Sequence, residues 1–518
     1  MPDLTRRRLP IGMQTFGELR ERNCYYVDKT EYVWRLTEEG KHYFLSRPRR
    51  FGKSLLVDTL KELFEGNEPL FAGLDIHGRW NWTVRHPVVR LDFGSGSFRE
   101  AGYLHTNAMA QLEAVAEEAG VAARYDTAPE RFRDLLRKLH RQAGRRVVVL
   151  VDEYDKPILD ALDTPEIVRA NRDYLRGLYG TIKSADADIH FSFLTGVSKF
   201  TKVSVFSELN NLIDITLEPA HSGICGYTDR DLDTVFAAEL PGLDRDEVRH
   251  WYNGYGWLGA EKVYNPFDIL LLFRRRRFGA WWFETATPSF LIETLARRGV
   301  RSVDLDGMLS SGDLLSEFDA DRIAPEALLF QTGYLTIRGT ERRGSDTYYR
   351  LGYPNHEVRQ SLNASLLNHL LGYSHRVAEH RTRLYDVLKA NDFAGLEALL
   401  QSVYAGIPYE WHTNNDIAAY EGYYASVFYS YFTGSGFDVR VEDSSSRGRL
   451  DMAVPFNDTV YLFEFKVVEL AAAGAAMAQL REKGYADKYR GLGVPIYLVA
   501  AEFSKVARNL HAFAVELA

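Results

Sequence analysis

Cysteine is nearly absent from this sequence: Cys24 and Cys225 stand far apart, without metal-ligand spacing. That argues against a disulfide framework and a cysteine-based zinc site, and for a reducing compartment. Neither cysteine lies in a nucleophile motif, and the 14 histidines show no HExxH or paired spacing. Positive charge is also short. Lys and Arg number 63 against 71 Asp and Glu, a net charge of −8. No global electrostatic footprint for nucleic acid exists, so such contact must rest on local patches, such as Arg274 to Arg277 or Arg447 and Arg449. For the four consecutive arginines a solvated helix end is the plainer reading. No long apolar run occurs, and the start MPDLTRRRLP has no apolar stretch after it. A cytoplasmic protein with no membrane partner is therefore expected. Internal repeats and low-complexity linkers are lacking too; the alanine-rich AAAGAAMA reads as the start of a helix.

What is present is ordinary globular composition, 46% hydrophobic and 26% charged, over 518 residues. That length predicts about three domains. In residues 1–230 strands alternate with helices, as in a covered parallel sheet. The strands are expected at His42–Leu45, Val88–Phe93, Val147–Val151, Ile189–Leu194 and Ile213–Leu217. After the first strand, RPRRFGKSL opens a helix at Gly52-Lys53-Ser54, the tail of a phosphate-binding loop. Its first glycine is replaced by Arg47, and Arg47, Arg49 and Arg50 make the loop unusually basic. Arg49, Arg50, Phe51, Gly52, Lys53, Ser54 and Leu55 are the candidate nucleotide contacts. Lys53 would reach the β- and γ-phosphates, and Ser54 would bind Mg²⁺. The run RRVVVLVDEYDKPI is a buried strand ending in Asp152-Glu153. In P-loop ATPases the first of these acids holds the Mg²⁺ shell and the second polarises the hydrolytic water. Taken alone, GKS is a helix start with a surface lysine, and the acidic pair ends a strand. Together and in this order they predict ATP binding with Mg²⁺. The strand ending in Asp92 falls between them in sequence, as in ATPases that use a glutamate base.

The second chemical signal is RGRLDMAVPFNDTVYLFEFK, residues 447–466. Asn457-Asp458 is a plausible two-residue turn, since both types tolerate positive φ. Pairing about that turn sets Pro455 opposite Val460, Ala453 opposite Leu462 and Asp451 opposite Glu464. Lys466 and Arg449 then share the face of the two acids. Leu450, Met452, Val454, Tyr461, Phe463 and Phe465 form the apolar face. Two acids opposed on an apolar hairpin are costly without a cation, and oxygen ligands suit Mg²⁺ or Mn²⁺. An exposed strand with a Glu464–Lys466 salt bridge is the plain alternative.

These residues resemble the PD-(D/E)XK nuclease superfamily. The resemblance implies that Asp451 and Glu464 hold a metal while Lys466 positions water and steadies charge on the phosphate. It also implies a helix-borne acid at Glu421 and a polar residue at Gln479 on the following helix. The usual proline before the aspartate is absent: Leu450 stands there. More widely, IGMQTFGELRERNCYYVDKT, SRPRRFGKSL, VDEYDKPI, LTGVSKFTKVSVFSELNNLIDIT and YNGYGWLGAEKVYNPFDI resemble AAA-ATPase-like proteins with a C-terminal PD-(D/E)XK domain. In that family RPRRFGKS is the usual loop. The resemblance places residues 27–30 near the nucleotide and makes Ser198 a candidate γ-phosphate sensor, with Thr195 its equal.

The resulting expectation is an α/β protein: an AAA-like P-loop parallel sheet in 1–230, a helical lid in 231–290, a helical, winged-helix-like middle in 291–400, and a restriction-endonuclease-like α/β domain in 401–518. The aromatic turn WYNGYGW reads as lid core rather than a base-stacking platform, and the winged segment as a contact between domains. The expected function is ATP-regulated, metal-dependent cleavage of nucleic acid, DNA in the first instance. Its alternative is a nucleotide-dependent switch or scaffold whose nuclease fold binds nucleic acid or a protein without cutting. The resemblance leaves open a homo-oligomer with a neighbour's arginine finger and a monomeric switch.

Overall fold

Short apolar runs bounded by loops become the strands of a computed structural model describing residues 6–122, 124–199, 205–206, 209–286, 289–297, 300–312, 324–371, 376–406, 421–445, 448–469 and 471–518. The chain divides into two units, residues 1–286 with 308–355, and residues 287–307 with 356–518.

In the first unit, β1 (His42–Ser46), β2 (Val88–Asp92), β3 (Val147–Asp152), β4 (Ile189–Gly196) and β5 (Ile213–Asp214) form a parallel sheet in the order β2-β3-β4-β1-β5. β1 and β3 are buried along their whole length, as continuous apolar strands covered on both faces must be. β4 separates them, so the loop after β1 and the acids after β3 flank a common neighbour. β5 is shorter than its apolar run suggests. Beyond Asp214 the polar groups are claimed elsewhere: Thr216 N–H donates to the Asp214 carboxylate at 2.9 Å, and the Thr216 hydroxyl accepts Ser46 N–H at 3.0 Å.

Helices Asp229–Thr234, Arg245–Tyr252 and Pro266–Arg275 follow the sheet. They bury Leu232, Val248, Tyr252, Ile269 and Phe273 in one cluster with Phe236 from the intervening segment and with Tyr25 and Val27. Tyr252, Tyr255 and Trp257 are buried. The four arginines at 274–277 are exposed but engaged in part: Arg275 and Arg277 lie 4.2 and 5.3 Å from the Trp281 ring, and Arg276 donates to the Glu239 carbonyl. The segment 291–400 is shared between the units. Helix Pro325–Thr332 and the sheet of β6 (Leu309–Ser311), β7 (Thr336–Arg343) and β8 (Asp346–Gly352) belong to the first, whereas helix His356–Leu370 belongs to the second.

The second unit is built on a mixed sheet ordered β13-β12-β11-β10-β9: β9 (Arg440–Ser445), β10 (Gly448–Phe456), β11 (Thr459–Val467), β12 (Ile496–Ser504) and β13 (Asn509–Leu517). Only β11 and β12 pair in parallel; the crossover between them carries helix Ala475–Lys483. Met452, Val454, Phe463 and Phe465 pack with Tyr424, Phe428 and Phe432 of helix Glu421–Gly434. Ala453 and Leu462 pack with Ala476, Met477 and Leu480 of the crossover helix. Both faces are therefore covered, and the hairpin is a central element rather than a half-exposed ribbon. Leu450 joins the crossover-helix cluster rather than the one containing Met452. It leaves the expected apolar face where the β10–β11 ladder stops at Met452↔Phe463 and a side chain takes over the bonding. Among the described residues no helix is long and apolar enough to cross a membrane.

Candidate active sites

In the first unit, β1 runs into a loop that ends at Gly52, whose φ of +96° is a left-handed conformation that glycine adopts without steric cost. Helix Lys53–Phe64 starts immediately after it, so its free N–H groups face the loop. Lys53 is only 3% exposed; its Nζ donates to the Pro48 carbonyl at 3.2 Å and lies 3.2 Å from Glu153 Oε1. Glu153 itself has φ +50°. Ser54 hydrogen-bonds Asp152, whose carboxyl is pushed up to about 6 by burial and then by Glu153, against the pull of Ser54.

A cavity of about 590 Å³ opens beside these groups. Its polar lining includes Lys53, Ser54, Asp92, Ser95, Glu153 and Lys156. Its apolar lining includes Met13, Tyr227, Pro266, Phe267 and Leu270. Arg49, Arg50, Phe51, Gly52 and Leu55 reach the same cavity, as do Val27 and Lys29. Arg50 lies 4.8 Å from the Phe267 ring. Phe51 is buried, its ring 4.8 Å from that of Tyr255.

Three residues sit differently from the sequence reading. Arg47 adds nothing to the basic character of the loop surface. It is fully buried, donates to the carbonyls of Ser46, Thr216 and His221, and stacks 4.1 Å from the Trp257 ring. Burial lowers its pKa to about 10. Arg47→Ala is expected to destabilise the first unit by about 3 kcal/mol, because buried carbonyls lose their donor. Urea unfolding measures this, and Arg47→Lys should restore little of it, lacking the planar fork. Ser198 is buried, does not line the cavity, and spends its hydroxyl on Asp155. The Thr195 hydroxyl is spent on the Leu45 carbonyl at 2.8 Å.

In sequence Asp92 is marked only as a strand end and Ser95 not at all; Asp92 is level with Asp152 on the neighbouring strand. In the glycine-rich segment GSGSF that follows, Gly94 N–H donates to Asp92 Oδ1 at 2.7 Å and Lys156 Nζ to the Gly96 carbonyl at 2.7 Å. Nothing local signals this placement.

In the second unit the hairpin turns at Asn457 and Asp458, with φ +50° and +56°. Pro455 pairs with Val460 and Ala453 with Leu462, the register expected from that turn. One step past the ladder, Asp451 Oδ2 accepts the N–H of Phe465 at 2.8 Å, which lays its carboxylate across β11. Glu464 is 0% exposed. Its Oε1 lies 3.3 Å from Lys466 Nζ and also accepts Gln479 Nε2 from the crossover helix. Helix Ala475–Lys483 is fixed by Glu502, which accepts the N–H groups of Gly474 and Ala476. Tyr485, missed in the sequence, hydrogen-bonds Gln479 and donates to the Arg449 carbonyl at 2.9 Å. Burial raises its pKa.

The fold thus gathers Asp451, Glu464, Lys466 and Gln479. Glu421 starts helix Glu421–Gly434, but its side chain, like all of Arg447, lies outside the described residues. Two carboxylates from adjacent strands are a hard-oxygen donor set that fits Mg²⁺ or Mn²⁺. Among the described residues no group of three or more His, Cys, Asp and Glu side chains forms a metal shell.

Two modules are recognised by comparison with known proteins. Residues 10–206 match the family model of a predicted AAA-ATPase, and residues 419–513 match that of the PD-(D/E)XK nuclease superfamily. An ATPase-like module and a nuclease-superfamily module on one chain define the class. The "Uncharacterized protein in vnfD 5'region" of Azotobacter chroococcum mcd 1 is 55% identical over 515 residues, covering 99% of each chain. The chain belongs to the family of predicted AAA-ATPases that carry a C-terminal PD-(D/E)XK nuclease-superfamily domain.

Proposed function

We propose that this protein binds and hydrolyses ATP in the first unit and uses that cycle to regulate metal-dependent cleavage of nucleic acid, DNA first, by the second. The observation that carries the nuclease half is the fully buried Glu464 carboxylate, held by Lys466 and Gln479 beside Asp451. Burying a carboxylate costs folding free energy even when an ammonium and an amide pair with it, and a purely structural strand gains nothing in return.

In this reading, Asp451 and Glu464 would hold Mg²⁺ or Mn²⁺, which supplies Lewis acidity and lowers the pKa of water. Lys466 orients the attacking water and offsets charge on the phosphate, and Gln479 fixes the Glu464 carboxylate. Glu421 is proposed as a further acid of the same site. In the first unit Lys53 and the N–H groups from Arg49 to Leu55 hold the phosphates. Ser54 and Asp152 would hold Mg²⁺, and Glu153 polarises the hydrolytic water. The apolar lining of Phe267, Tyr227 and Met13 suits a nucleobase. A cytoplasmic location belongs to the same proposal.

The test is cleavage of single- and double-stranded DNA and RNA with Mg²⁺ or Mn²⁺, with and without ATP. Cutting that needs the metal and changes with ATP is the expected result. ATP hydrolysis with no cutting on any substrate would replace the nuclease by a nucleotide-dependent switch or scaffold.

A further inference from the structure

One buried carboxylate ties together the turns that follow β3 and β4. Asp155 is 0% exposed. Its oxygens accept the Val197 N–H at 3.1 and 3.2 Å, the Ser198 N–H at 2.6 Å, and the Ser198 hydroxyl. Tyr154 adds two links: its N–H donates to the Thr195 carbonyl at 3.1 Å and its hydroxyl to the Ser198 carbonyl at 3.0 Å. The turn after β4 is also tied to the start of the Lys53 loop. Arg47 N–H donates to the Gly196 carbonyl at 3.2 Å, and the Ser46 hydroxyl donates to the Val197 carbonyl. Space is so limited that a Cβ at Gly196 would lie 2.2 Å from Asp155 Oδ1.

Two residues before this carboxylate stands Glu153, held at φ +50° with its side chain 3.2 Å from Lys53. A left-handed conformation on a non-glycine residue persists only where the surroundings impose it. Hydrogen bonds from Tyr154 and Asp155 fix the peptides that follow Glu153, and the same β4 turn fixes the residues that lead to Lys53.

We propose that Asp155 is a positioning residue for ATP hydrolysis: it fastens the Gly196–Ser198 turn to the Glu153 turn, so that Glu153 and the phosphate loop keep one relative geometry. Ser198 then acts through Asp155 and does not itself touch the phosphate. The inference rests on the ATPase reading above.

The experiment uses the full chain. Steady-state ATP turnover, equilibrium ATP binding and circular-dichroism melting are measured for wild type, Asp155→Asn, Ser198→Ala and Ser198→Thr. An asparagine can keep an oxygen for Ser198 at the Oδ2 position, but it then turns an N–H₂ group against the Val197 N–H and removes the charge that holds the turn. Asp155→Asn should lower kcat about 100-fold while ATP Kd stays within roughly 3-fold, since misplacement of about 1 Å has that effect on chemistry but little on binding. Ser198→Ala removes one bond and should lower kcat about 5-fold, with Ser198→Thr restoring it.

Unchanged kcat in a folded Asp155→Asn protein would overturn the inference. So would a parallel loss of binding and turnover, which marks a structural strut. If Asp155→Asn does not fold, Ser198→Ala decides: unchanged turnover rejects the role, and a kcat loss rescued by threonine upholds it. A wild-type chain that fails to hydrolyse ATP is a different failure, of the ATPase reading itself, and this inference falls with it.

Discussion

Lys53→Ala should weaken ATP binding by about 100-fold or more, since a charge-assisted hydrogen bond to phosphate contributes up to about 3 kcal/mol. The structure suggests an effect at the upper end. Lys53 is almost wholly buried, and the acids around it include Glu153, Asp152 and Asp92. Without the ammonium, the phosphates would meet those carboxylates with less positive charge to offset them. Lys53→Met keeps most of the stem packing and separates loss of charge from loss of fold. Glu153→Gln is the complementary control: it should retain ATP and stop hydrolysis. Isothermal titration with ATP and Mg²⁺ checks the first point. Unaltered affinity in Lys53→Ala would refute the phosphate-binding role of the loop.

The second large effect concerns the other unit. Asp451→Ala should reduce metal-dependent cleavage by about 1,000-fold, because a metal at the scissile phosphate supplies several kcal/mol of transition-state stabilisation. ATP hydrolysis should persist. Asp451 also accepts the Phe465 N–H, so alanine removes a structural bond with the charge. Asp451→Asn retains an oxygen for that N–H and removes the charge alone. If the carboxylate is a metal ligand, both variants lose cutting. Should Asp451→Asn cut at the wild-type rate, the assignment of this site would be wrong.

The hairpin turn and the pairs next to it were legible because two local rules agree. A period of two fixes which residues share a face, and the Asn457-Asp458 turn fixes the register. Together they give the Ala453–Leu462 and Pro455–Val460 pairs without knowledge of the rest of the chain, whereas beyond Met452↔Phe463 the ladder stops and Asp451 is placed by its bond to the Phe465 N–H. The loop at Lys53 and the acids after β3 were legible for a similar reason: each lies at the end of an apolar strand in a short stretch of sequence. The cavity wall was not. Met13, Tyr227 and Phe267 come together from distant segments, and no periodicity links them. Arg47 illustrates the same limit. In sequence it is one of three loop arginines; in the fold it is turned inward onto Trp257 and three carbonyls.

By itself, the sequence determined the elements and where their polar residues fall: the strands of the first unit, the Lys53 loop, the Asp152-Glu153 pair and the register of the hairpin between Met452 and Phe463. All of these follow from interactions between near neighbours. Only the tertiary structure decided what each side chain was free to do. It spent Ser198 on Asp155, placed Asp92 beside the loop, covered both faces of the hairpin and divided the 291–400 segment between the units. These outcomes depend on which distant groups compete for the same hydrogen bonds and the same buried volume. That competition begins only when the chain has closed on itself.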